Sequence, residues 1–181
     1  MQNSLTSITV SRVKMNFFNK LTSTAGFPLC YNLLPHFASC EGKLSTHMKF
    51  VEDALADGRI NSFFLSDQAT HRHTFSSLQL AEEIMAAGGE PIVSLALTFN
   101  DRHTALDKLR KYNQAGVQEL LFVSGNYPTG TSRKPVDPVF DLDSVQLLML
   151  LENIEEAENI IKGCVVSPVA CRCNQQPPPH A

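Results

Sequence analysis

The sequence predicts an α/β protein in which a parallel sheet alternates with helices. Short apolar runs begin near Phe27, Ile60, Pro91, Gln118 and Cys164, each of a length that suits a strand buried on both faces. Between them, apolar residues recur at helical spacing, and strands separated in this way are the signature of βα units. The run Leu120-Leu121-Phe122-Val123 passes directly into Ser124-Gly125-Asn126-Tyr127-Pro128-Thr129-Gly130. That is loop chemistry at the C-terminal end of a strand, the edge where ligands bind in α/β folds.

Taken in order, residues 1–26 hold Arg12, Lys14 and Lys20, many Ser and Thr, and no acid. Such a leader reads either as an organelle-targeting segment or as an unpacked tail, with Phe17, Phe18 and Leu21 able to form a short helix closing the bottom of the sheet. Phe27 to Leu34 is the first expected strand. His47, Met48, Val51, Ala54 and Leu55 then share a helical face that stops at Gly58. The second strand spans Ile60 to Leu65 and runs into a polar loop from Ser66 to Thr74. Ser76 with Gln79 predicts a capping box for a helix burying Leu80, Ala81, Ile84 and Met85 and closing at Gly88-Gly89.

Pro91 to Leu97 is the third expected strand. Asn100 is the expected cap of a helix whose buried face is Ala105, Leu109 and Tyr112, ending at Gly116. After the fourth strand and its long loop, Asp143 with Gln146 marks another helix start. Val145 to Leu151 is apolar nearly all round, which predicts deep packing, and Ile154, Ala157, Ile160 and Ile161 extend the helical pattern to Gly163. Cys164 to Cys171 reads as the fifth strand. Asn174 to Ala181 is rich in Gln and Pro and reads as an unstructured end.

Composition narrows the function classes. At 181 residues and 43% hydrophobic, the chain suffices for one domain with a core, here residues 27–173. The net charge of −3, without a long basic or acidic run, gives no reason to expect nucleic acid or an anionic membrane as partner. No apolar stretch approaches the ~20 residues that span a bilayer. Five cysteines are too few for a disulfide scaffold of this size, and their odd number leaves a thiol over, so a reducing, cytoplasmic setting is expected. His71-x-His73 with His47 or Asp67, and Cys171-x-Cys173 with Cys164, have the look of metal ligands. No further ligand cluster accompanies either, so a polar loop and buried strand cysteines are the expected readings, with no metal. Arg133-Lys134 could hold a phosphate or carboxylate, or stand as an ordinary solvated pair.

The pattern Gly125-Asn126-x-Pro128-x-Gly130-x-x-x-Lys134-Pro135 after a buried strand resembles the flavin-side loop of the methylenetetrahydrofolate reductases, Arg-Gly-Asp-x-Pro-x-Gly-x-x-x-Lys-Pro. Leu97-Thr98 after Ile92-Val93-Ser94-Leu95 resembles that family's His-Leu-Thr after its third strand. Spacing and element order match from about Phe27 to Ala170. The resemblance implies a partial (β/α)8 TIM-type barrel. A complete barrel takes ~250 residues, so 181 leave room for about five βα units, and the two open sheet edges would need a second copy or a partner chain.

The resemblance also implies an oxidoreductase of one-carbon metabolism that binds FAD and takes hydride from NAD(P)H. Its folate substrate, 5,10-methylenetetrahydrofolate, would become 5-methyltetrahydrofolate. The cofactor contacts it implies are Ser66, Ala96, Thr98, Ser124, Gly125, Asn126, Tyr127, Phe140 and Ala170. The family's catalytic Glu on the first strand corresponds to Asn32, and the Asp of its Arg-Gly-Asp to Asn126. Its His and Arg correspond to Ala96 and Ser124. An amide offers hydrogen bonds but cannot titrate. The residues therefore leave two expectations: a flavin-dependent reductase, or a non-catalytic flavin- or folate-binding subunit or decayed scaffold.

Overall fold

Five strands run side by side, all parallel, in the order in which they occur in the chain. A computed structural model describes residues 16–23, 27–33, 43–67, 76–125 and 138–165. Within them the elements are α1 (Phe17–Thr22), β1 (Cys30–Leu33), α2 (Lys43–Asp57), β2 (Ser62–Asp67), α3 (Ser77–Ala86), β3 (Glu90–Ala96), α4 (Arg102–Gln114), β4 (Glu119–Val123), α5 (Ser144–Leu151), a 3₁₀ turn (Glu155–Ala157) and β5 (Ile161–Cys164).

Register sorts the strand residues onto two faces, because neighbouring positions in a parallel ladder point the same way. Leu33, Leu65, Val93 and Leu120 form one row, with Leu95 and Phe122 in the row above. These residues join Val51 of α2, Leu80 and Ile84 of α3, Ala105 and Leu109 of α4, and Leu147 and Leu151 of α5 in a single buried cluster. Four helices thus cover one face, as right-handed crossovers between sequential parallel strands require. The opposite face carries Asn32, Phe64, Ile92, Glu119 and Ile161 in one row and Ser66, Ser94, Leu121 and Gly163 in the next.

Helix α1 closes the N-terminal end of that second face. The Phe18 N–H donates to Glu119 Oε1 at 2.7 Å, and Lys20 Nζ pairs with Glu90 Oε2 at 2.9 Å. Glu90 and Glu119 are the first residues of β3 and β4. A Cβ on Gly163 would stand 3.2 Å from the Leu121 side chain and 3.4 Å from the Phe18 ring, so a larger residue would crowd the seat of α1. The short helix that Phe17 and Phe18 foretold therefore does close the bottom, although Leu21 is exposed.

Several local expectations are corrected. β1 begins at Cys30 rather than Phe27, and Phe27 and Leu29 are exposed before it. β2 starts later and takes in Ser66 and Asp67, since pairing with β3 continues through Ser66↔Ser94 and Asp67↔Leu95. Ser76 precedes α3 but makes no side-chain cap. Ser77 is the buried residue, and its hydroxyl donates to the Ser66 carbonyl at 2.9 Å. Asp101, not Asn100, caps α4, accepting from the Thr104 N–H at 2.7 Å. The Asn100 amide donates instead back to the Ala96 carbonyl four residues earlier, a local side-chain-to-backbone bond that competes with the cap.

The capping box of Asp143 and Gln146 forms as the spacing predicts, with reciprocal bonds of 2.7 and 3.0 Å. The helix it opens ends at Leu151, not near Gly163. Ile154 to Ile160 fold instead as a turn over α4, where Asn113 Nδ2 donates to the Glu156 carbonyl at 2.8 Å. The Ile161 N–H is then taken by the Gln118 carbonyl at 2.8 Å, which starts β5 three residues before Cys164. The expected deep burial of α5 fails on one side: Val145 is 59% and Met149 63% exposed, while Leu147 and Leu151 are buried.

Candidate strand-end site

Loops at the C-terminal ends of β3 and β4 are knotted together through Thr98. The Leu97 N–H donates to the Val123 carbonyl at 2.9 Å, continuing the ladder one step past the strands. The Thr98 N–H donates to the Ser124 carbonyl at 2.8 Å, and the Thr98 hydroxyl donates to the same oxygen. The Thr98 carbonyl in turn accepts from Val139 N at 2.7 Å and Phe140 N at 3.4 Å. Thr98 is 3% exposed, and these bonds engage its amide, carbonyl and hydroxyl. Its part is to hold the shape of the site.

Gly125 follows at φ +93°, the left-handed region that a side chain makes costly. A Cβ there would lie 2.8 Å from Thr98 Oγ1 and 3.3 Å from the Ala96 Cβ. Glycine is needed both for the turn and for the close approach. Ser124 and Gly125 are themselves exposed at the strand ends. Phe140 adopts φ +48° with its ring 61% exposed. A non-glycine residue held in that region is costly and persists only where its neighbours over-determine it.

Flanking it on the other side is an ion pair between Arg102 and Asp141, which no motif signalled because the two are 39 residues apart. Asp141 Oδ2 accepts from the Arg102 N–H at 2.8 Å and from Nε at 3.0 Å, and Oδ1 accepts from Nη2 at 2.8 Å. The guanidinium fork and then the backbone N–H hold the Asp141 carboxyl down to about 2.

Of the residues singled out by sequence, Ala96, Thr98, Ser124, Gly125 and Phe140 are therefore linked directly or through Thr98. Ser66 and Asn32 lie on the same face of the sheet as Ala96. Asn32 is exposed and level with Phe64 and Ile92. Ala96 lies about 13 Å further towards the C-terminal edge at the usual rise per residue. Asn126, Tyr127 and Ala170 lie outside the described residues, as do His71, His73, Arg133, Lys134, Cys171 and Cys173. Among the described residues no cluster of three His, Cys, Asp or Glu side chains is placed to hold a metal, and no helix is long and apolar enough to cross a membrane.

A cleft of about 280 Å³ lies at the opposite edge, between the ends of α3 and α4 and the starts of β3 and β4. Asn16, Met85, Gly88, Glu90, Gly116 and Glu119 line it in part. Both carboxylates are already engaged there. Glu90 takes Lys20 and the Ser62 hydroxyl, and Glu119 takes the Phe18 N–H. Burial raises the Glu119 pKa, and the N–H groups of Phe18 and Phe17 offset only part of the rise. Burial likewise pushes the Cys30 thiol up to about 11, a poor nucleophile at neutral pH. This end of the sheet is a closed foundation, and the accessible polar backbone and aromatic surface stand at the other end.

In comparisons with known proteins, no family model matches the chain, and no curated protein matches it. The strand-end residues present two features: an exposed backbone turn that a Cβ would obstruct, and an exposed aromatic residue on the same Thr98 anchor. Ser124 and Ala96 supply neither a cation for a phosphate nor a ring nitrogen, so any such partner must come from elsewhere.

Proposed function

We propose that this chain is a flavin-binding protein of the methylenetetrahydrofolate reductase type, a partial (β/α)8 barrel that holds FAD against the ends of β3 and β4. The observation that carries this reading is Gly125, turned at φ +93° against Thr98 and Ala96. Three residues singled out by the resemblance thereby meet at one ligand-accessible edge. Bound FAD would supply the hydride chemistry between NAD(P)H and 5,10-methylenetetrahydrofolate, giving 5-methyltetrahydrofolate. The chain's own part is to seat the ring system on the Ser124–Gly125 backbone, flank it with Phe140, and offer the Asn32 amide from the sheet face as a hydrogen-bonding group. The free thiols Cys30 and Cys164 agree with a cytoplasmic setting.

Asn32 favours a second reading, a non-catalytic flavin- or folate-binding subunit, because an exposed amide cannot deliver a proton. The strand order adds to it: among the described residues β1 and β5 each pair on one side only, so a second copy or partner chain would complete the sheet. The test is the absorbance of the purified protein in the flavin band, followed by titration of the protein with FAD. Saturable binding supports a cofactor protein. Absence of binding at FAD concentrations far above those of a working flavoprotein leaves an empty scaffold and ends both readings as flavin proteins.

A further inference from the structure

The connection between β4 and α5 leaves and returns at the same place. Ser124, where it leaves, is bound by Thr98, and Val139 and Phe140, where it returns, donate to the Thr98 carbonyl. One residue later Asp141 receives three bonds from Arg102, two from the guanidinium and one from the backbone N–H. Phe140 stands between these anchors in a conformation that it would not hold unaided.

Solvent-exposed ion pairs commonly contribute little, but a bidentate arginine fork with a further backbone donor imposes geometry as well as attraction. Asp101 caps α4 through Thr104, and Asp141 takes the N–H of Arg102, the first residue of that helix. The two guanidinium bonds go beyond what capping requires and tie the segment that carries Phe140 to α4.

We propose that Arg102 and Asp141 are a positioning pair: together they hold Phe140 in its left-handed conformation, so that its ring stands at the strand ends that Ser124 and Gly125 also form. Its consequence for affinity rests on the flavin reading above. With the pair broken, the ring leaves its place and FAD binds more weakly, while the helices and the core stay intact.

The chain contains no tryptophan, so Phe140→Trp introduces a single fluorescent reporter at the position in question. In that background, Asp141→Asn and Arg102→Gln are each expected to lower the anisotropy of the indole, to raise its quenching by acrylamide about twofold, and to weaken the FAD dissociation constant by about tenfold, which corresponds to about 1.4 kcal/mol. Arg102→Lys, which keeps the charge and loses the fork, should fall between parent and Arg102→Gln. The exchanged pair Arg102→Asp with Asp141→Arg should recover part of the anisotropy. Far-UV circular dichroism establishes that each variant is folded, and Arg102→Lys serves where a harsher change unfolds the chain. If the single variants lower the melting temperature but leave indole anisotropy and quenching unchanged, the pair is merely structural and the proposal is overturned. If the indole responds as expected but the Phe140→Trp and parent proteins bind no FAD, the positioning role stands and the flavin reading falls.

Discussion

Thr98 and Ser124 are joined twice through a single oxygen: the Ser124 carbonyl accepts both the backbone N–H of Thr98, at 2.8 Å, and its hydroxyl. This pair of hydrogen bonds between the strand-end turns lies beyond the last ladder pair, Ala96↔Val123. It therefore sets the relative position of the two loops independently of the sheet. Ser124, Gly125 and Phe140, exposed at this edge, are each one residue or one hydrogen bond away from it.

Gly125→Leu is expected to abolish FAD binding without reducing helix content. The branched side chain would enter space already occupied by Thr98 Oγ1 and Ala96, and the left-handed backbone would add a cost of about 1–3 kcal/mol. Flavin retention and far-UV circular dichroism measured on the same samples check it. Equal retention in variant and parent would remove this loop from the site.

Glu119 should make the protein less stable as pH rises above the ordinary carboxylate value. Burial raises its folded pKa above the ordinary value of 4.5, so its contribution is fully present below that value and is lost as pH climbs through the raised one. The melting temperature of Glu119→Gln relative to the parent should therefore increase as pH rises above 4.5. Asp141 acts in the opposite sense: its stabilisation is present above its unfolded value of 3.8 and is lost as pH falls towards about 2. A difference between Glu119→Gln and parent that does not vary with pH would show that this carboxylate is not a source of the dependence.

The exposed side of α5 and the edge at β5 should drive self-association, because Val145, Met149 and Val165 stand exposed on this flank. Sedimentation velocity over a wide concentration range should show association in the parent and a shift towards monomer in Val145→Lys with Met149→Glu. Leu147→Ala on the buried side should instead cost about 2–5 kcal/mol of folding stability. A parent that remains sharply monomeric would contradict the association.

Restoring carboxyls should speed folate chemistry if the flavin reading is right. General acid catalysis by a positioned group contributes typically ~10² to 10⁴ in rate. Asn126→Asp, alone or with Asn32→Glu, is expected to raise folate-dependent flavin reoxidation at least about tenfold, a conservative part of that range. Stopped-flow comparison of the variants, each with reduced flavin bound, measures it. A parent as fast as the acid variants would mean that the proton donor lies elsewhere.

What the sequence determined was short-range. The alternation of five strands with helices, the buried stripe of Ala105, Leu109 and Tyr112, and the Asp143–Gln146 cap all follow from patterns within a few turns of chain, where spacing alone fixes which groups can meet. The candidate edge was legible for the same reason, as loop residues following directly on a buried run. Tertiary contacts decided the rest. Ser77 was drawn inward to the Ser66 carbonyl. Pairing with β4 turned Ile161 from a helical position into the first residue of a strand, and Val145 and Met149 were left outside because the core packs against one side of their helix only. Arg102 and Asp141 are the clearest instance. Nothing in either residue's surroundings in sequence announces the other, because an ion pair across 39 residues exists only after β3 and β4 have paired and brought their loops to the same edge.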